Sequence, residues 1–381
     1  MSERDQQPAG VPARETAGET ASTTKPTAAS KPNPALTELS DAQVAELVTS
    51  LGGKPFQARQ VSHWIWKHGV TDFDQMSNVP ARLRTALAEN HKVHSSTVHK
   101  ADLAADGTEK LLMKLHDDDT VECVIIPDGD RTTLCISTQV GCPVGCVFCA
   151  SGMFGVRRNL SSGEIIEQVL VARARLHDDR RLTNIVVMGM GEPMLNLDGL
   201  LPALQRIHDA DGINFGARRI TVSTSGYPKQ MAKFAEADPS YNLAISLHAA
   251  DDELRKELVP TATATVAEIV EAAHDYFGQK NREVTFEVVL LAGKNDRRID
   301  ANKMIQVLRD VPCTVNLIPW NPVAEIVDKH GLGRPTEARV DAFADSLRDA
   351  GINVTVRRQR GADRSAACGQ LRLQTLESPG A

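Results

Sequence analysis

No apolar run in the 381 residues approaches the ~20 positions that a membrane span needs. The first residues also lack the apolar stretch of a secretory signal. Both absences lead us to expect a cytoplasmic protein with no membrane partner. Seven cysteines, an odd number with three in one short loop, do not make the disulfide framework of a secreted domain and suit a reducing compartment. The formal charge of -6 excludes a chain coated in positive charge, leaving only local basic patches. Arg157-Arg158, Arg218-Arg219 and Arg357-Arg358-Gln-Arg360 are such patches, and each taken alone reads as solvated surface. Residues 1–34 hold no large apolar side chain besides Met1 and Val11. Such a segment cannot offset its ordering entropy and is expected to be a disordered tail.

Elsewhere the chain has enough apolar residues, 41% in all, to bury a full core, so one large domain plus a smaller one is expected. Ser40 and Gln43 form a capping box, followed by Val44, Leu47, Val48 and Leu51 on one helical face. A second helix is expected from about Gln57 to His68, with Gly69 as its stop, and a third after Pro80. These make a small helical module over residues 35–95. Its Trp64 and Trp66 read as core, while Arg59, Lys67 and His68 are basic side chains that could face RNA. Residues 96–130 change to strand patterning, with a hairpin turn at 116–120.

From about residue 131 to 376, strands alternate with helices. The expected strands are 132–137, 184–188, 219–223, 242–247, 283–290 and 314–318, each followed by helical stretches. An irregular loop separates the last strand from helix 336–350. Residues 377–381 are read as a short tail. Six βα units imply an α/β fold, a partial (β/α)6 barrel of parallel strands, whose function should gather at the strands' C-terminal ends.

The first strand runs into Cys142-Pro-Val-Gly-Cys146-Val-Phe-Cys149, spaced C-x3-C-x2-C. Three crowded thiolates suit an iron–sulfur cluster or zinc better than disulfides. A cubane held by three thiolates keeps one iron open to a small molecule. Zinc modules usually pair C-x2-C with a second pair, which is missing here, although Cys123 or Cys135 could supply a fourth ligand. Gly189-Met-Gly-Glu192-Pro193, Ser223-Thr-Ser225-Gly226, Ser246-Leu247-His248 and Pro319-Trp-Asn321-Pro322 end the later strands. Each alone could be an ordinary turn; together, on one rim, they read as a shared ligand site. Cys368, flanked by glycines near the C-terminus, reads as sitting on a mobile loop. Cys123 and Cys313 read as inert small hydrophobes.

The cysteine spacing resembles the signature of radical S-adenosylmethionine (SAM) enzymes. With Lys54-Pro-Phe-Gln-Ala-Arg-Gln, Arg158-Asn-Leu, the Gly-Glu-Pro motif, Ser246-Leu-His-Ala, Leu317-Ile-Pro-Trp-Asn-Pro and Ala366-Ala-Cys-Gly-Gln-Leu, the chain from about 40 to 375 resembles the RlmN/Cfr family of radical SAM RNA methyltransferases. That resemblance implies a [4Fe-4S] cluster on Cys142, Cys146 and Cys149. It implies a SAM site lined by Gly191, Glu192, Ser223, Ser246, Leu247, His248 and Asn321. Cys368 would carry a methyl group, Cys135 would be its partner thiol and Glu122 the proton acceptor. Two SAM molecules would be used per turnover. The first methylates Cys368; the second yields a deoxyadenosyl radical that takes hydrogen from the S-methyl group. The carbon adds to adenine, a proton passes to Glu122, and Cys135 releases the product by forming a disulfide with Cys368. Implied partners are 23S rRNA and an electron donor such as flavodoxin or ferredoxin, with a monomeric enzyme; tRNA is left open as a second substrate.

Pro193 after Glu192 is similar to the RlmN branch, which methylates adenine C2, rather than the Cfr branch, which methylates C8. One stretch departs from the family: Val323-Ala-Glu-Ile-Val-Asp-Lys-His-Gly-Leu332 replaces a Gly/Pro-rich loop. Two other classes compete. A non-catalytic zinc- and RNA-binding module would account for the cysteines but not for the strand-end motifs. A methylthiolating radical enzyme needs a second cluster, for which only four scattered cysteines remain.

Overall fold

The structure, a computed structural model, describes residues 33–177, 180–237, 241–357 and 360–372. Nearly all of the expected N-terminal tail, and all of residues 377–381, lie outside the described residues. The chain divides into units Met1–Asn33 and Pro34–Ala381, and every element below belongs to the second.

The helical module forms as its caps direct. α1 (Asp41–Ser50) starts at Ser40, whose Oγ accepts from Gln43 N at 3.3 Å while Gln43 Oε1 accepts from Ser40 N at 2.8 Å. α2 (Pro55–His63) begins two residues before the expected Gln57, because Pro55 presets the first turn. It runs on through a wider turn, Trp64–His68, to Gly69 in the left-handed conformation. α3 (Ala81–Asn90) follows Pro80.

Four antiparallel strands follow: β1 (Thr97–Leu103), β2 (Glu109–Lys114), β3 (Thr120–Asp128) and β4 (Arg131–Cys135). β5 (Gln139–Gly141) and β6 (Val156–Asn159) pair as a separate ribbon around the cysteine loop. Then come α4 (Ser162–Arg175), β7 (Asn184–Val187), α5 (Leu197–His208), β8 (Ile220–Thr224), α6 (Pro228–Ala235) and β9 (Asn242–Ser246). The chain continues through α7 (Asp252–Leu258), α8 (Val266–Lys280), β10 (Val284–Leu290), α9 (Arg298–Leu308) and β11 (Cys313–Pro319). It closes with α10 (Ala324–His330), α11 (Glu337–Asp349) and β12 (Asn353–Val356).

The strands join in one ten-stranded sheet, ordered β1-β2-β3-β4-β7-β8-β9-β10-β11-β12. From β4 onward every neighbour is parallel. The expected six parallel strands are therefore present, and β12 adds a seventh. The strands read as a hairpin before residue 130 continue this same sheet through β3 and β4. The loop expected to be irregular after Pro322 contains α10, ended by Gly331 in the left-handed conformation. β10 is buried almost end to end, as a parallel strand covered on both faces must be.

The helical module is fastened to the parallel part through α4 and α5. Glu167 of α4 is fully buried and accepts from Thr37 Oγ1 (2.5 Å), Ser95 N (2.6 Å), Ser96 N (2.8 Å) and Ser96 Oγ. Arg173 donates to the carbonyl oxygens of Trp66 and Lys67, each at 3.2 Å. Arg206 of α5 pairs with Asp41 at 3.0 Å and lies over the Trp66 ring at 5.0 Å. Trp66 is thus core. Lys67 Nζ is engaged by the Ala210 carbonyl oxygen, whereas Arg59 and His68 are exposed. Glu167→Gln replaces one of those acceptor oxygens with an amide donor facing a ring of donors. It should lower unfolding free energy by about 1–3 kcal/mol in chemical denaturation, the usual cost of stranding buried polar groups; an unchanged midpoint would show that the fastening is unimportant.

Candidate active site

One cavity opens at the C-terminal ends of the parallel strands, and its wall carries most of the residues singled out in the sequence. The cysteine loop forms one side. Cys142 N donates to Gly155 O at 2.9 Å, and a Cβ on Gly141 (φ +81°) would lie 2.1 Å from that same oxygen, so only glycine closes the loop. Val147 N donates to Leu258 O (3.1 Å), Thr261 Oγ1 to Val144 O (2.7 Å) and Trp320 Nε1 to Phe148 O (2.9 Å). Phe148 is buried beneath the loop, edge-on to His248 with centroids 4.7 Å apart.

Cys142, Cys146 and Cys149 all line the cavity and are half-buried. Burial pushes the Cys142 thiol up to about 12, with Cys149 adding to the shift. Burial also holds the Cys146 thiol well above its usual range, again with its two partners contributing. Burial raises Cys149 too, opposed by hydrogen bonds with Ser151. Metal-free, the three are protonated thiols, and ligation would expel their protons. Among the described residues no three common metal-ligating side chains converge as they would on one ion. One zinc would draw its thiolates to within about 4 Å of one another. A cubane takes three protein thiolates, and the three thiols that line this cavity supply that donor set.

The Gly-Glu-Pro turn follows β7. Gly189 and Gly191 (φ +109°) are needed by the protein itself: a Cβ would lie 2.6 Å from Ser137 Oγ in the first case and 2.8 Å from Gln139 in the second. Glu192 is buried on the wall. Its Oε1 accepts from Met194 N (3.0 Å) and its Oε2 from Ser225 N and Oγ, both at 2.8 Å. Burial raises this carboxyl and those hydrogen bonds pull it back. Ser223 and Ser246 face each other at 3.4 Å between hydroxyls on adjacent strands. His248 has φ +62°, and its Nδ1 accepts from Val289 N at 3.2 Å. Burial pushes it down to about 3, so it is a neutral ring. Leu247 does not reach the wall: it is fully buried, and its N–H donates to Glu287 O at 3.1 Å.

Cys135, at the end of β4, and Cys368 line the same cavity, and all seven cysteines are free thiols. Burial pushes Cys135 up to about 12, with Cys368 adding to the shift and Arg357 opposing it. The Cys368 segment is anchored on several sides. Asn321 Nδ2 donates to Cys368 O (3.0 Å), Ala150 N to Gly369 O (2.9 Å), Ser151 Oγ to Leu371 O (2.6 Å) and Arg372 N to Glu122 Oε2 (2.8 Å). Glu122 is fully buried and pairs with Lys110 at 3.0 Å. It lies behind the wall, while Val124 and Ile126, on the same face of β3, line the cavity.

Sequence reading missed the wall residue Glu287 and took Arg357, also on the wall, only as part of a basic surface patch. Glu287 Oε2 accepts from Asn316 Nδ2 at 2.7 Å; burial raises its carboxyl, and Arg357 opposes that. A carboxylate within the apolar run of β10 was the available signal. The basic patches also resolve. Arg157 pairs with Asp119 (2.5 Å), and Arg158 with Asp117 (2.6 Å) and Glu164 (2.8 Å). Arg360 pairs with Asp128, and Arg358 lies outside the described residues. Arg218 and Arg219 are exposed. Cys123 and Cys313 are buried away from the cavity.

Residues 136–305 match the Radical SAM superfamily. The strand-end cavity and its three-thiol loop therefore belong to a radical SAM enzyme, a class that uses SAM and a [4Fe-4S] cluster. Residues 35–93 match the ribosomal RNA large subunit methyltransferase N-terminal domain. A "Probable dual-specificity RNA methyltransferase RlmN" from Rhodopirellula baltica is 45% identical over 331 residues, 87% of this chain and 88% of that protein. The "Dual-specificity RNA methyltransferase RlmN" of Rhodopseudomonas palustris is 41% identical over 367 residues, 90% of each. The crystal structure of a radical SAM methyltransferase from Sphaerobacter thermophilus superposes with a TM-score of 0.85 at 42% identity, covering 89% of this chain and 99% of that one. The chain belongs to the RlmN family of radical SAM RNA methyltransferases. This excludes the non-catalytic zinc module. Among the described residues no helix is long and apolar enough to cross a membrane.

Proposed function

We propose that this enzyme methylates C2 of an adenine in 23S rRNA at the peptidyl-transferase centre, and also an anticodon-loop adenine of tRNA, through a methylated cysteine. The observation that carries the reading is that two thiols outside the cysteine loop, Cys135 and Cys368, line the cavity that also presents Cys142, Cys146 and Cys149. Adenine C2 is electrophilic, so direct delivery of a methyl cation fails there, and a carbon must first be parked on the protein. When bound, the cluster and SAM supply the one-electron chemistry that activates a methyl group.

The chain's residues then have distinct tasks. Cys142, Cys146 and Cys149 hold the cluster. Gly191, Glu192, Ser223, Ser246, His248 and Asn321 shape the SAM site, with Leu247 packing behind it. Cys368 takes the methyl group from one SAM, and its carbon becomes bonded to the base after a second SAM is consumed. Glu122 takes the proton lost from C2. Cys135 attacks the Cys368 sulfur: an S–S bond forms, the S–C bond breaks, and the carbon leaves with the electron pair, gaining a proton as the finished methyl. An external thiol must then reduce the disulfide. Arg59 and His68 of the helical module face RNA, and a ferredoxin- or flavodoxin-class protein supplies electrons to the monomer.

Support for two RNA classes comes from the relatives' dual-specificity name, and Pro193 supports C2 over C8. Mass spectrometry of nucleosides from a strain lacking the gene provides the test. 2-Methyladenosine should vanish from both 23S rRNA and tRNA and return with the gene. Loss of 8-methyladenosine instead, or 2-methyladenosine persisting in either RNA, would overturn the corresponding part.

A further inference from the structure

Among the described residues two Lys or Arg side chains are buried, Lys110 and Arg255. Lys110 has its carboxylate, Glu122, at 3.0 Å. Arg255, on α7, is only 1% exposed and has none: no ion pair among the described residues includes it. Its Nη2 donates to the Ser225 carbonyl oxygen, and its Nε is buried with no hydrogen-bond partner. A buried charge without a counter-ion is strongly unfavourable, so its persistence asks where the negative charge comes from.

The packing around α7 gives the direction. Leu258, at the end of that helix, accepts from Val147 N of the cysteine loop at 3.1 Å. Thr261, just beyond, donates to Val144 O at 2.7 Å. Leu258 and Val259 share an apolar cluster with Val144 and Phe148. Arg255 is not on the cavity wall, so it does not face the space left for substrate. Burial is the larger influence on its guanidinium and lowers the group; Asp252 and Tyr227 are within electrostatic reach without forming an ion pair, and the Cys146 sulfur is too once it carries charge. In the metal-free chain that thiol is neutral; as a cluster ligand it is a thiolate.

We infer that Arg255 is the fixed countercharge of the iron–sulfur cluster held by Cys142, Cys146 and Cys149, and that it sets the cluster's reduction potential. The inference rests on reading those cysteines as cluster ligands. Reduction adds an electron beside the guanidinium, so a buried cation there favours the reduced state. The same charge is unanswered before the cluster arrives and answered afterwards, so Arg255 should burden the metal-free chain and stabilise the loaded one. It is a positioning and tuning residue, not a catalytic one.

The test uses full-length Arg255→Met, Arg255→Gln and Arg255→Lys proteins, loaded anaerobically with iron and sulfide and titrated potentiometrically with EPR detection, without SAM. Both neutral variants should reduce at a more negative potential than wild type, and Arg255→Lys close to wild type. Arg255→Gln keeps a donor for the Ser225 carbonyl, so it serves where the Met variant folds poorly. Melting temperatures provide the second readout: the neutral variants should match or exceed wild type when metal-free and fall below it when loaded. An unshifted potential, or an equal loss of melting temperature in both states, would overturn the countercharge role. A wild-type chain that takes up no iron and sulfide would sink the cluster reading along with it.

Discussion

Cys368→Ala should leave RNA unmethylated and form no covalent complex, whereas Cys135→Ala should trap the enzyme on its RNA. The two cysteines lie on one cavity wall but carry opposite halves of the proposed reaction. Without the Cys368 sulfur there is nowhere to place the first methyl group, so turnover is lost at the outset. Without Cys135 the carbon still reaches the base, but the S–C bond to Cys368 has no thiol to break it. The adduct should survive denaturing gels and disappear on ribonuclease digestion, and the double variant should behave as Cys368→Ala. Release should also depend on pH. Burial pushes Cys135 up to about 12, so at neutral pH little of it is thiolate, and the rate of release should climb as pH rises. Normal turnover by Cys135→Ala, or an adduct formed by Cys368→Ala, would reverse the assignment.

The chemistry of this site was legible because it is local. A C-x3-C-x2-C loop after a strand, and short polar motifs at later strand ends, sit within a few residues of the elements that place them. What stayed hidden depends on distant partners. Asp251-Asp-Glu-Leu-Arg-Lys-Glu-Leu258 reads only as part of a helical stretch, and nothing in its charged sequence marks Arg255 as buried; packing against the cysteine loop puts it inside. Arg157 and Arg158 read as a basic patch until Asp119 and Asp117, 38 and 41 residues away, fold onto them. β12 is four residues long and mostly exposed, so it shows no apolar alternation, and it is a strand because β11 offers a parallel edge. α10 has a single buried residue, Ile326, too little for a helical stripe to register. The glycines of the Gly-Glu-Pro turn were recognised, but the reason for them was not: their missing side chains make room for Ser137 and Gln139.

Cys142→Ala, Cys146→Ala and Cys149→Ala should each purify anaerobically with little iron and sulfide, no visible cluster absorbance and no SAM cleavage. A cubane already left with one open iron would keep only two protein ligands. Cys123 and Cys313 are buried away from the cavity and cannot substitute, and in the proposed reaction Cys135 and Cys368, on the same wall, serve other steps. The loop should nevertheless persist. It is tied by Val147 N to Leu258 O, by Cys142 N to Gly155 O and by Trp320 Nε1 to Phe148 O, none of which uses a sulfur. The metal-free variants should therefore keep wild-type far-ultraviolet circular dichroism. Their melting temperatures should lie near that of metal-free wild type, because each removes a buried neutral thiol rather than a charge. What they lose is the stabilisation that loading gives wild type, since metal binding to a folded site adds directly to folding free energy. Full iron content in any one of the three would remove that cysteine from the ligand set.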